Sequence, residues 1–309
     1  MKLYINRNPV SGPWGGGAKF FNAFWEFSSV ELMKSQTMNI NPDVMLLVGL
    51  DNQGPTQISA EQAVMYKMYV NPGCKLVLRV NECDARKGTT GVDDGLIKLS
   101  RFVDGTVFVS RWLQEYFNAK GWGCQNQTVI YNGVQRSIFK PQPKVDNGKL
   151  NIVAHHWSDN RMKGADIYER LDELAGKNPD KLAFTYVGRH QCDFKHTNVI
   201  KPLHGQALGD ELGKHDVYVS ASRFDPGPNH ILEALACGLP TYVHKDGGGC
   251  VEFAGTDHVY GDMLELESII TAVGLHASNT NFTLSSWKDC VTEYNAFLEA
   301  TWKAQTTSA

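Results

Sequence analysis

The 309-residue chain is 42% hydrophobic and 20% charged, the composition of a soluble globular protein with length for two cores of roughly 150 residues each. A formal net charge of -3 and a pI near 6.4 exclude a basic nucleic-acid surface and a strongly cationic membrane face, so any phosphate binding must be local. The opening "MKLYINRNPV" is too short an apolar run for a signal peptide and no later stretch reaches bilayer length; the expectation is a cytoplasmic protein without a transmembrane segment, a reading still compatible with peripheral membrane contact.

The first apolar run, "KLYI", leads after a few residues into a Gly-rich loop, "SGPWGGGAKF" (Ser11 to Phe20). A loop of this kind between a strand and a helix can hold a phosphate, but the ATP-binding pattern fails: Gly12 and Gly17 have the spacing, while Ala18 takes the lysine position and Phe20 follows Lys19. Nor does the loop match the dinucleotide fingerprint. "VMLLVGL" (Val44 to Leu50), "KLVLRV" (Lys75 to Val80), "GTVFV" (Gly105 to Val109) and "TVIY" (Thr128 to Tyr131) continue the series. Such short apolar runs, separated by helix-like segments, indicate parallel strands buried on both faces.

"KPQPKVDNGK" (Lys140 to Lys149) breaks the periodicity and reads as a linker. Beyond it "LNIVAHH", "LAFTYVG", "DVYVSAS" and "LPTYVH" repeat the scheme, so two α/β bodies with a cleft between them are expected. The stretch Ser285 to Lys303 spaces Val291, Tyr294, Phe297, Leu298 and Trp302 at helical intervals and predicts a long amphipathic terminal helix. The expected bodies are 1–143, 144–284 and a C-terminal helix and tail, 285–309. Seven scattered cysteines lack a C-x-x-C pair, and the adjacent His155 and His156 have no H-x-x-x-H partner, so no metal site is expected.

"SASRFDPGPNHILEALACGLP" (Ser220 to Pro240) is the stretch richest in chemistry. It follows the strand-like "DVYVS", and open α/β sheets bind ligands at the C-terminal ends of their strands. "PGPN" stiffens a loop and opens a helix, with Pro228 suited to the first turn, and the N–H groups from Gly227 through Asn229 to His230 would meet a diphosphate. Asp225 either accepts from sugar hydroxyls or caps the helix; Glu233 either accepts from a ribose diol or is solvated. Both alternatives stay open on these residues alone.

The D-x7-E spacing followed by "ALACGLP" resembles the E-x7-E signature of family 4 glycosyltransferases, which are retaining enzymes of the GT-B fold. "VIYNGV" through "IFKP" (Val129 to Pro141), "RMKG", "DGTVFVSRW" (Asp104 to Trp112) and the N-terminal Gly-rich loop support the likeness in the family's order, over nearly the whole chain. The resemblance implies two Rossmann-like domains facing across a cleft, with the C-terminal helix packed back on the N-terminal domain. It implies a hexosyltransferase that moves a sugar from a UDP- or GDP-linked donor to a hydroxyl of a glycan, lipid or protein-linked sugar, with no metal and no other cofactor. Lys163 matches the lysine that neutralises the donor diphosphate, Glu233 the ribose-binding carboxylate, and Asp225 the first signature acid, shorter here by one methylene. Ser158 stands where the family usually has arginine, with Arg161 or Arg189 as substitutes. Gly16 and Gly17, beside Gly15, would let backbone approach the donor phosphate. Asn81 falls where relatives have a histidine touching the transferred sugar, and Asp84, Arg86 and Lys87 would face the acceptor. The alternatives are a non-catalytic nucleotide-sugar or glycan binding module and a nucleotide-sugar epimerase or hydrolase of the same fold.

Overall fold

The structure, a computed structural model, describes residues 1–9, 16–33, 41–51, 57–272, 279 and 282–304. The chain divides into two compact units, one containing the opening strand, Gly16–Asn132 and the last helix, the other containing Gly133–Ser286.

The first unit is built on six parallel strands: β1 (Lys2–Ile5), β2 (Glu31–Leu32), β3 (Val44–Val48), β4 (Lys75–Val80), β5 (Gly105–Phe108) and β6 (Gln127–Val129), in the order β2-β1-β3-β4-β5-β6. Helices α1 (Gly16–Phe27), α2 (Ala60–Tyr69), α3 (Asp84–Lys87), α4 (Val92–Leu99) and α5 (Arg111–Asn118) lie between them. The side-chain period of two sends Met45, Leu47, Leu76 and Leu78 into one apolar layer with Leu96, Leu113 and Phe117, and Leu46 and Val77 into the other. Both faces are therefore covered, as an all-parallel sheet requires.

The second unit repeats the plan with β7 (Leu150–His156), β8 (Leu182–Gly188), β9 (Asn198–Ile200), β10 (Val217–Ser220), β11 (Thr241–His244) and β12 (Val259–Tyr260), in the order β12-β11-β10-β7-β8-β9. Its helices are α6 (Ala165–Lys177), α7 (Gly205–Gly213), α8 (Asn229–Ala236), α9 (Gly249–Ala254) and α10 (Met263–Thr271). From β7 the chain builds outward to β9 on one side, then returns to build β10 to β12 on the other. The neighbouring ends of β7 and β10 thus flank a topological switch point, where open α/β sheets leave a crevice for ligands.

The final helix, α11 (Trp287–Lys303), belongs to the first unit. Its buried Tyr294 packs on Phe20 of α1 with ring centroids 4.8 Å apart, and Asn295 exchanges hydrogen bonds with Ser28 and Ser29 at 3.0 and 3.1 Å. The nine apolar runs all form strands. β2, β9 and β12 were not anticipated: each is an outermost strand of two or three residues, too short to show a period. The Pro-rich stretch at 140–149 lies within the second unit, where the Val145 N–H donates to the Lys214 carbonyl at 3.0 Å.

Candidate functional site

The chain leaves β7 through a short 3-10 turn, Arg161–Lys163, started by Asn160, whose side chain accepts from the Met162 N–H at 2.8 Å. Gly164 follows at φ +88°, and a Cβ there would stand 2.3 Å from the Ala221 carbonyl oxygen. Glycine is required on both counts. The Met162 carbonyl accepts from the Arg223 N–H at 2.8 Å, and the Arg223 guanidinium grips Asp166 with two bonds of 2.9 and 2.7 Å. Arg223 holds the Asp166 carboxyl below the ordinary carboxylate range. These ties fasten the loop after β7 to the loop after β10, and across the junction Lys163 Nζ donates to Asp225 Oδ2 at 2.9 Å. Their side chains are only 14% and 9% exposed, so Lys163 is not a solvated surface lysine.

Asp225 sits on a shaped loop. Phe224, immediately before it, has φ +51°, and Asp225 pairs with the glycines after β11: its N–H donates to the Gly247 carbonyl at 3.1 Å and its carbonyl accepts from Gly249 at 2.8 Å. A Cβ at Gly249 would meet the Pro226 and Asp225 carbonyl oxygens at 3.0 and 3.1 Å, the reason for a run of glycines there. Pro228 is the N-cap residue of α8, just before the first turn in which the sequence reading placed it, and Asn229 is the first helical residue. Asp225 lies three residues before that cap, with its carboxylate directed to Lys163. The N–H groups of the first turn, Asn229 and His230 included, have no carbonyl one turn back within the helix.

Glu233 is buried, and its Oε2 is 2.9 Å from His155 Nε2 at the end of β7. The solvated alternative is thereby removed. A carboxylate can only accept, so His155 carries its proton on Nε2, and its buried Nδ1 has no hydrogen-bond partner among the described residues. The same holds for the buried Ser222 Oγ. Next to them His156 Nε2 and the Tyr168 hydroxyl share a hydrogen bond of 2.6 Å, and that oxygen accepts from the Ala221 N–H at 3.0 Å. Sequence reasoning missed this polar seam. Its signal was the polar endings of two otherwise apolar runs, "AHH" and "VSAS".

The second unit therefore brings together Lys163, Asp225, Glu233 and the segment from Gly227 through Pro228 and Asn229 to His230 at one switch point. Arg161 occupies the same turn as Lys163 but is exposed. Ser158 accepts from the Asn160 N–H at 3.2 Å, and Arg189, also exposed, lies 4.4 Å over the Trp157 ring. In the first unit Gly16 opens α1, and Gly17 would bring a Cβ within 4.0 Å of Asn81 Nδ2. Gly12 and Gly15 of that loop lie outside the described residues. Asp84 accepts from Thr89 Oγ1 and from the Val92 and Asp93 N–H groups at 2.7 to 3.3 Å. Partial burial raises its pKa, but these bonds bring it below the ordinary value, and its carboxylate is engaged in holding the turn between α3 and α4. Lys87 pairs with Glu82, and Arg86 precedes it on α3. A cavity of about 460 Å³ opens at the opposite, N-terminal ends of β7, β8 and β9, beside Lys149, Asn198 and His215, and contains none of these residues.

Sequence comparison matches the chain to no family model and to no curated protein. Structural comparison gives full-length similarity. HepE of Anabaena, in complex with UDP and glucose, is 15% identical with a TM-score of 0.67, over 98% of this chain and 99% of that one. Sucrose-phosphate synthase of Thermosynechococcus elongatus is 11% identical with a TM-score of 0.67, over 98% and 96%. The catalytic domain of starch synthase IV from Arabidopsis thaliana, bound to ADP and acarbose, is 10% identical with a TM-score of 0.61, over 85% and 74%. The fold is GT-B: two parallel six-stranded sheets with interleaved helices. No helix among the described residues is long and apolar enough to cross a membrane.

Proposed function

We propose that the chain is a retaining, metal-independent glycosyltransferase of the family 4 type, acting in the cytoplasm, that transfers a hexosyl group from a UDP-sugar to a carbohydrate hydroxyl. The observation that carries the reading is the Lys163–Asp225 pair beside the first turn of α8, at the switch point of the second sheet. The full-length likeness to a structure that holds UDP and glucose favours uridine over guanosine.

In this reading Lys163 exchanges Asp225 for the donor diphosphate, which the α8 N-terminus also faces. Asp225, released, accepts from hydroxyls of the transferred sugar. Glu233, oriented by His155, accepts from the ribose diol, and the lone pair of His155 Nδ1 offers a further acceptor. As the glycosidic bond breaks, negative charge grows on the diphosphate, and Lys163 with the helix N-terminus lowers the barrier electrostatically. Asn81 of the first unit contacts the transferred sugar, and Arg86 and Lys87 serve the acceptor.

The test is thermal stabilisation and UDP release with a panel of UDP- and GDP-sugars, with and without acceptor sugars. A UDP-sugar at a hundred times its Kd should stabilise the fold by about 2.7 kcal/mol. Glu233→Gln should weaken UDP and UDP-sugar alike, because both contain the ribose. Stabilisation without UDP release under any acceptor would make the chain a binding module, and indifference to every nucleotide sugar would overturn the reading.

A further inference from the structure

Asp225, His230 and Cys250 come from three places in the second unit, the loop after β10, the first turn of α8 and the start of α9. The bridge between Asp225 and Gly248 draws them together. One donor atom from each lies within 4.8 Å of the others, and all three residues are buried. His230 Nε2 is 4.0 Å from Cys250 Sγ and 2.9 Å from Ser220 Oγ. In a tetrahedral zinc site, bonds of about 2.0 to 2.3 Å set neighbouring ligand atoms about 3.5 Å apart. The cluster is within a modest side-chain adjustment of that figure. One imidazole, one thiol and one carboxylate form a borderline-soft donor set, which selects zinc over magnesium or calcium.

We propose that Asp225, His230 and Cys250 form a binding site for a single zinc ion, with water in the fourth position. The Cys250 thiol releases its proton to solvent as sulfur binds. The Ser220 hydroxyl turns away to give the ion the His230 Nε2 lone pair, and Asp225 supplies one oxygen while the other keeps Lys163 as an outer partner. Spacings of five and twenty residues match no sequence pattern for zinc, so the site exists only through the fold. A consequence rests on the proposed function: an ion held here occupies the carboxylate offered to the sugar, so zinc and donor sugar exclude each other.

The experiment titrates cobalt(II), a spectroscopic stand-in for zinc, into tag-free, chelator-stripped protein with its thiols kept reduced. We expect one cobalt per chain, with tetrahedral d–d absorption and a sulfur-to-cobalt charge-transfer band, both removed by one equivalent of zinc. Cys250→Ser should lose the charge-transfer band and bind at least roughly tenfold more weakly. Absence of saturable uptake, or a charge-transfer band that persists in Cys250→Ser, overturns the site. If Cys250→Ser does not melt cooperatively, His230→Gln serves instead: affinity should fall at least roughly tenfold, and unchanged affinity is equally fatal. The spectra require no nucleotide, so their outcome is independent of the transferase reading.

Discussion

In the first unit the largest fully buried polar side chain is Arg79, on β4, and its partners are neutral: the Tyr294 hydroxyl at 3.1 Å, Asn132 at 2.9 Å and the face of Phe20 at 4.2 Å. In the second unit the enclosed cation is Lys163, placed on a strand-end loop against the carboxylate of Asp225. Arg79 points into the layer beneath α1 and α11, where its planar fork ties the sheet to a helix from the far end of the chain. Lys163 is a point charge on a loop at the switch point, paired with a carboxylate that, in the proposed function, the donor diphosphate displaces. Similar sheets thus enclose charge in different settings, Arg79 among neutral groups inside a layer and Lys163 in an ion pair at a strand end.

Gly164→Ala should break this contrast most severely, because the fixed loop is what makes the Lys163 position useful. A left-handed residue costs about 1–2 kcal/mol and overpacking against the Ala221 carbonyl about 1–3 kcal/mol more, and UDP-sugar turnover should vanish with the displaced turn. Urea unfolding and turnover measured together check both. Arg79→Met comes next: two buried groups lose a partner, at about 1–3 kcal/mol each, while UDP affinity stays unchanged. A change in UDP affinity would show that the two units do not divide the work in this way.

Lys163→Ala should lower turnover on the order of 10²-fold, as removal of other preorganised charge contacts does. Stability should fall by about 1–3 kcal/mol, less than for a fully buried pair because both side chains keep some solvent. Asp225→Asn added to Lys163→Ala should recover stability without recovering turnover, as measured by thermal melting and UDP release. The smallest effect concerns pH. Burial lowers the pKa of His215, which donates from Nδ1 to the Glu211 carbonyl at 2.9 Å. Below the unfolded value of about 6.5 the unfolded chain takes up a proton that the folded state resists, so stability is complete above that pH and declines as pH falls through it. Urea midpoints at pH 7.5 and 5.5 should differ less in His215→Gln.

The long strands were legible because burial on both faces leaves an unbroken apolar run, and α11 because its apolar positions recur over about three turns. Asp225 and Glu233 were legible as one of two alternatives from their place after an apolar strand, and Lys163 only through the likeness of its surroundings to a known signature. That Lys163 meets Asp225 was not legible, since 62 residues separate them and the contact depends on the β7–β10 pairing. The role of His155 was hidden for a related reason: its partner Glu233 lies 78 residues on, and a pair of histidines at a strand end carries no period. Asp84 shows the converse, a carboxylate at a strand end whose neighbours Thr89, Val92 and Asp93 already occupy it.

The docking of α11 on α1 also sets an order of events during synthesis. Ser28 and Asn295 are 267 positions apart, so the apolar layer under α1 stays uncovered until the whole second unit has left the ribosome. At roughly 5–20 residues per second that interval lasts about ten seconds or longer, time in which the later unit can fold first and the earlier one exposes Phe20 and Phe24. A chain ending at residue 284 should therefore yield to limited proteolysis a protected fragment from the second unit and a digested first unit.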